Sequence, residues 1–139
     1  MYDMQWSELT IDQELEPIVK PPIDKVQLVQ YAGASKDFNL IHTDEETAKK
    51  AGLPGVIAHG MISVGFIGQL LTKIAGNNGF VSNLNVRFAG MVFPGDIVTC
   101  RAKVLAKDEE NRTIDFKISS ETEPGKQVIL GNATITFYH

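Results

Sequence analysis

Asp37, Asn39 and His42 lie within one polar run, Ser35-Lys36-Asp37-Phe38-Asn39-Leu40-Ile41-His42-Thr43-Asp44. A carboxylate and an imidazole are elementary equipment for moving protons. Brought to one water molecule, they suit the addition of water to an activated alkene, in which one group takes a proton and the other gives one. An imidazole titrates near neutrality without perturbation. The carboxylate would then act mainly as an anionic acceptor that holds and polarises the water. Spacing alone does not show that the pair converges. On an α-helix the five-residue separation of Asp37 and His42 would put them about 140° apart, on different faces. In a loop they can meet. A structural reading stands beside this one, because loop Asp and Asn commonly bond their own backbone and a lone His is often only a satisfied polar group. Asp44 has a sufficient structural reason, as an acid in the first turn of a helix. A metal site of Asp37, His42 and Asp44 is therefore not expected, and no second His lies at a ligand-like spacing.

The second chemical feature is Ile57-Ala58-His59-Gly60-Met61. No Ser, Thr, Asp or Asn directly precedes the helix that begins there, so its first N–H groups and positive dipole end are free. With no side chain at Gly60, a ligand oxygen could approach its amide. A thioester carbonyl placed there would be polarised as its enolate forms. Alternatively, Gly60 is a tolerated N-cap with water on the amides. His59 either shapes the pocket or bonds nearby backbone, and the structural role is the stronger reading.

Helices and strands must position these groups. Pro21-Pro22 interrupts what precedes, and Asp24 with Gln27 predicts a short helix from about Lys25 to Ala32, stopped near Gly33. A second short helix follows the polar run, with Thr43 and Glu46 as a capping box. Glu45/Lys49 and Glu46/Lys50 make i,i+4 pairs there, and Gly52 and Pro54 stop it. Met61 to Ala75 is a third helix, apolar almost all round and so expected to be wrapped by the rest of the chain. Its Gly65 and Gly68 suggest close approach of a sheet, a ligand or a partner chain.

From Asn77 onward the apolar period becomes two. Leu84/Val86/Phe88, Val98/Cys100/Ala102/Val104, Ile114/Phe116/Ile118 and Ala133/Ile135/Phe137 mark four antiparallel strands. Val128 and Leu130 take the opposite parity across Gly131, as at a bulge. Turns fall at Pro94-Gly95-Asp96, Asp108 to Asn111 and Glu123-Pro124-Gly125. A further strand near Glu14 to Val19 would be confined to an edge by Pro17. The economical architecture is α+β, a curved antiparallel sheet wrapped around the Met61 helix.

Length and composition bound the rest. The chain of 139 residues fits one domain, 1–139, with one core. Its 43% hydrophobic and 22% charged residues are ordinary for a soluble globular protein. Thirteen basic and 17 acidic residues give a net charge of −4, and no Lys/Arg cluster suggests a nucleic-acid partner. The lone Cys100 forbids an internal disulfide and fits a reducing, cytoplasmic setting; its place in a strand pattern reads as core. Met1 to Trp6 shows no signal-peptide pattern. Met61 to Ala75 is too short and too often interrupted by polar residues to span a bilayer, so no membrane partner is expected.

The run from Tyr31 to Asp44, followed by Ala58-His59-Gly60-Met61, resembles the MaoC-like hydratase family, which includes (R)-specific enoyl-CoA hydratases and 3-hydroxyacyl-carrier-protein dehydratases. Asn85-Val86-Arg87-Phe88-Ala89 and Phe93-Pro94-Gly95-Asp96 resemble the strand and turn that follow in that family, and the resemblance runs from about Ser7 to Phe137. The Asp-x-Asn-x-x-His loop combined with His-Gly-Met is a specific signal. It implies a hotdog fold that pairs into a homodimer or higher oligomer, with an acyl tunnel at the interface. It also implies reversible syn hydration of trans-2-enoyl thioesters to (R)-3-hydroxyacyl thioesters. The family's catalytic Asp and His map onto Asp37 and His42, its oxyanion-hole glycine onto Gly60, and its loop Asn onto Asn39. No cofactor is implied, because CoA or the acyl-carrier arm belongs to the substrate.

Two positions depart from the family pattern. Leu40 stands where many members have Pro, which would loosen the loop, and Gly68 where some hydratases have Ser. The competing reading is a non-catalytic acyl-thioester subunit that works with a hotdog partner. A hotdog thioesterase is a third reading, but those enzymes typically carry a carboxylate on the central helix, and Met61 to Ala75 has no Asp or Glu.

Overall fold

The computed structural model describes residues 3–139. Met1 and Tyr2, part of the expectation about the leading segment, lie outside them. In chain order the regular elements are β1 (Ile18–Val19), α1 (Lys25–Ser35), α2 (Glu45–Lys50), α3 (Gly60–Ala75), β2 (Gly79–Phe88), β3 (Thr99–Asp108), β4 (Thr113–Glu123) and β5 (Lys126–Phe137). The strands form one antiparallel sheet in the order β1-β3-β4-β5-β2.

The four long strands fall where the period of two put them, and their inward residues pack on α3. Cys100, Val104, Ile114, Phe116, Ile118 and Ile135 are fully buried against Ile67, Leu70, Leu71 and Ile74 of that helix. The edge strand near Pro17 is real but short. Ile18 and Val19 pair with Cys100 and Thr99, and Glu14 adds an isolated bridge to Lys103. β2 lies at the opposite edge of the sheet. No helix among the described residues is long and apolar enough to cross a membrane.

Several local expectations are corrected. Helix α1 runs through Gly33 to Ser35, because Lys36 takes the left-handed conformation (φ 62°) that ends it. Helix α2 is capped by Asp44, whose carboxylate accepts from the Thr47 amide, and not by a Thr43/Glu46 box. The Glu46–Lys50 pair forms at 2.9 Å. Glu45 reaches instead to Lys25, at 2.8 Å. The irregularity expected near Gly131 falls instead at Val128, which the ladder skips between the Ser120–Ile129 and Glu121–Gln127 pairs, so that Val128 and Ile129 are both buried; there is no bulge at Gly131. It stays in register with Val86 and Ile118, and the inward parity continues through Gly131 to Ile129. A Cβ at Gly131 would lie 2.0 Å from the Asn85 carbonyl oxygen, so only glycine fits that close approach of strands. Helix α3 is not wrapped all round. Met61, Gly65, Gln69 and Thr72 form an exposed stripe, and a Cβ at Gly65 or Gly68 would meet nothing within 4 Å. Close approach of the sheet therefore does not explain those glycines.

Candidate active site

The loop after α1 is built by its own short polar side chains. Ser35 Oγ donates to the Tyr31 carbonyl and accepts from the Asp37 amide. Asp37 Oδ1 accepts from the Asn39 amide at 3.3 Å, and Asn39 Oδ1 accepts from the Ile41 amide at 3.2 Å. These successive turns roll Leu40–His42 into a 3-10 turn closed by bonds to the Leu40 carbonyl. The turn forms with Leu40 at the position where many members of the resembled family have proline. The structural reading of the loop acids is thus correct for one oxygen of Asp37, while the other, Oδ2, accepts from no backbone amide among the described residues.

That oxygen lies 3.8 Å from Nε2 of His42. The Asp37 side chain is half exposed and His42 is buried. On the far side of the ring, His42 Nδ1 is 2.7 Å from the Ile57 carbonyl. A carbonyl only accepts, so Nδ1 carries the proton and Nε2 of the neutral ring presents a bare lone pair to Asp37. The backbone bond from Ile57 N to Ile41 O, at 3.1 Å, ties this loop to the segment that enters α3.

That segment carries His59 and Gly60. His59 is only 2% exposed. Its Nε2 is 3.2 Å from the Asp37 backbone carbonyl, and its ring stacks on His42 with centroids 3.8 Å apart and planes inclined by 23°. Of the two expectations for His59, bonding nearby backbone is what the geometry displays. Burial first, and the neighbouring His42 charge next among the lowering causes, hold His59 below the ordinary imidazole range; its bond to the Asp37 carbonyl works the other way. Gly60 is the first residue of α3, and its helix has no side-chain cap. Among the described residues nothing accepts from the Gly60 amide. The volume that a Cβ would fill at Gly60 is taken by the Phe88 ring, 2.7 Å from such an atom.

A cavity of about 200 Å³ opens beside these groups, walled by His42, Gly60, Ser63, Phe88, Met91 and Ile129. Ser63, buried one turn into α3, is a site residue that sequence reasoning missed. A polar residue three positions after Gly60, between the apolar Ile62 and Val64, was the available signal. Phe88 was missed too, since its alternation assigned it to the core. Gly68 does not line this cavity. A larger cleft of about 650 Å³, lined by Asp3, Ile18, Lys73 and Asn77 among others, sits at the other end of α3 and contains none of these groups.

The fold also supplies the second histidine that the spacing lacked. Ligand atoms of Asp37, His42 and His59 lie within 4.8 Å of one another. Their directions do not suit one ion, however. A bound metal lies about 2.0 to 2.1 Å from a ring nitrogen, in the plane of that ring. Two stacked, nearly parallel rings cannot both hold one ion in their planes at that distance.

A family model described as a MaoC like domain matches residues 7–124. The chain belongs to the MaoC-like family. It is 34% identical over 114 residues to an (R)-specific enoyl-CoA hydratase of Rhodospirillum rubrum, covering 81% of this chain and 78% of that protein. An (R)-hydratase of A. caviae involved in PHA biosynthesis superposes with a TM-score of 0.85 at 25% identity, covering 93% of this chain and 97% of that one. The fold is accordingly the hotdog. The chain also resembles a short part of a far longer protein. The chain is 33% identical over 108 residues to the fatty acid synthase beta subunit TOXC of Cochliobolus carbonum; that match takes in 76% of this chain and only 5% of that protein.

Proposed function

We propose that this MaoC-like protein is a hydro-lyase that reversibly hydrates trans-2-enoyl thioesters to (R)-3-hydroxyacyl thioesters, with Asp37 and His42 gripping the water. The observation that carries this reading is the bare Nε2 of His42 facing Asp37 Oδ2 across 3.8 Å, beside a Gly60 amide that makes no other bond. That gap is too long for a direct hydrogen bond. A water about 2.8 Å from each atom closes it at an angle of about 85°, near its own bond angle. Both facing atoms accept, so both water hydrogens are used and the oxygen lone pairs are left for the substrate.

The chemistry then balances. The water oxygen bonds to the β-carbon as one of its protons passes to His42 Nε2. The alkene electron pair moves toward the thioester oxygen, which accepts from the Gly60 amide. The imidazolium returns the proton to the α-carbon, and the second water hydrogen stays on the product hydroxyl, against Asp37. Both additions come from the side occupied by the dyad, which is syn addition. Asn39 holds the turn that carries His42.

Phe38, Leu40, Met61, Phe88 and Met91 form an exposed apolar rim around the site. β2, which ends at Phe88, is an edge strand of the sheet. We assign this surface to a second copy of the chain, which would complete the acyl tunnel. Residues 1–139 act as one MaoC-like domain, a reading supported by the single core that joins α3 to the sheet. The lone, buried Cys100 fits a cytoplasmic setting. The acyl group arrives on CoA or on an acyl-carrier protein, and no cofactor is invoked.

Crotonyl-CoA hydration, followed by loss of the enoyl ultraviolet absorbance, tests the activity. An enoyl-carrier substrate run in parallel separates the two carriers. The exposed rim also suits a second reading, a subunit that acts only with a hotdog partner of different sequence. Native mass and turnover of the purified chain separate the two, and an active homodimer removes the second.

A further inference from the structure

His59 joins three parts of the site. Its Nε2 meets the Asp37 backbone carbonyl, its ring face lies against His42, and its chain continues into Gly60. The ring of Tyr31 backs it, 4.8 Å away and tilted by 57°. Since the Asp37 carbonyl only accepts, Nε2 carries the proton and the neutral ring leaves Nδ1 bare. That Nδ1 is buried and has no partner among the described residues. Protonating it would bury an N–H with nothing to accept it, beside a ring that itself takes up a proton during turnover.

We propose that His59 is a positioning residue for hydration: its Nε2–H tethers the Asp37 backbone while its ring face supports His42, so this one neutral side chain sets the gap that holds the water. The proposal rests on the reading of Asp37 and His42 as the pair that grips that water. Buried beneath His42, His59 acts through these two residues and not on the substrate. Its neutrality has a second consequence. When His42 becomes imidazolium, the ring stacked on it adds no opposing charge. The groups facing His59 are His42, Asp37 and Tyr31.

Two substitutions divide the tether from the support. His59→Phe keeps a ring face and loses the donor; His59→Gln keeps a donor and loses the face. A displacement of about 1 Å costs on the order of a hundredfold in rate. Each variant should therefore lose roughly tenfold or more in kcat, with KM for crotonyl-CoA changed by less than about twofold. A merely structural residue would lower the melting temperature and leave the kcat of the folded fraction intact. ¹⁵N NMR of the intact protein gives an answer independent of how the variants fold. His59 should show the Nε2–H tautomer and remain neutral at the usual imidazole midpoint. A Nδ1–H tautomer, or wild-type kcat in either folded variant, would overturn the proposal. An inactive His42→Ala beside a fully active His59→Phe defeats this proposal alone, whereas an active His42→Ala defeats the reading beneath it.

Discussion

The Asp37 carboxylate stops 3.8 Å short of the His42 ring, on the side where that ring has no proton to offer. Two acceptors facing each other across such a gap gain nothing from each other directly. A water donating to both would make the arrangement favourable, and in the proposed hydration that water would be the nucleophile.

Removing either acceptor should abolish that arrangement. Asp37→Asn and His42→Ala are each expected to lower crotonyl-CoA hydration by roughly a hundredfold or more, the scale of a lost general acid or base. Wild-type rates in both variants would end the assignment of the pair.

The Gly60 amide can be deleted without deleting the helix. Proline is well tolerated at the first helical position, and His59, with φ −59° and ψ 130°, already has the extended backbone that precedes proline. Gly60→Ala adds only the carbon that collides with the Phe88 ring; Gly60→Pro also removes the N–H. We expect Gly60→Pro to fall below Gly60→Ala in kcat by about 10²–10³, the loss typical of one oxyanion donor. Equal rates in the two would show that the amide does not touch the developing charge.

The Cys100 thiol is fully buried, and burial pushes its pKa up to about 12. A thiol so held has almost no thiolate near neutrality. It should resist thiol reagents in the native protein and react promptly in denaturant. Rapid labelling of the folded chain, with loss of activity, would contradict this.

Asp44 offers a pH test. Its hydrogen bonds from the Thr47 side chain and backbone hold its carboxyl below the usual value of 3.8. A depressed folded-state pKa contributes stability that is fully present above the unfolded value and is lost as pH falls through the folded one. Asp44→Asn keeps a capping oxygen but removes the charge. The melting temperatures of the two proteins should differ at neutral pH and converge in acid below the ordinary carboxylate range. A difference that persists unchanged in acid would refute the charge effect.

The central helix should show its two faces in stability. Leu70→Ala, at a fully buried position, is expected to cost about 2–5 kcal/mol in urea unfolding. Thr72→Ala, on the exposed stripe, should stay within about 0.5 kcal/mol of wild type.

Local patterns made much of this protein legible. Alternation placed the four long strands because a half-buried strand must repeat every two residues. Pro17 foretold an edge strand because it has no N–H for the ladder. The polar loop with His-Gly-Met named Asp37, His42 and His59, which the fold brings side by side. The misreadings were also local. Thr43 and Asp44 are both competent caps, and it is Asp44 that has the extended backbone (φ −121°, ψ 113°) of a cap residue. Gly131 reads as a bulge until Asn85 is seen beside it.

Residue types and their order along the chain therefore established which groups are available and which elements carry them, since periodicity and turn chemistry act over a few residues. Convergence belonged to the tertiary structure. The Ile57 carbonyl selects the tautomer of His42, His59 arrives beneath it from the start of another helix, and Phe88 closes over Gly60 from a strand. Each of these meetings joins segments far apart along the chain, loop to helix entry or helix entry to strand, and distances along the sequence carry no record of how the fold brings them together.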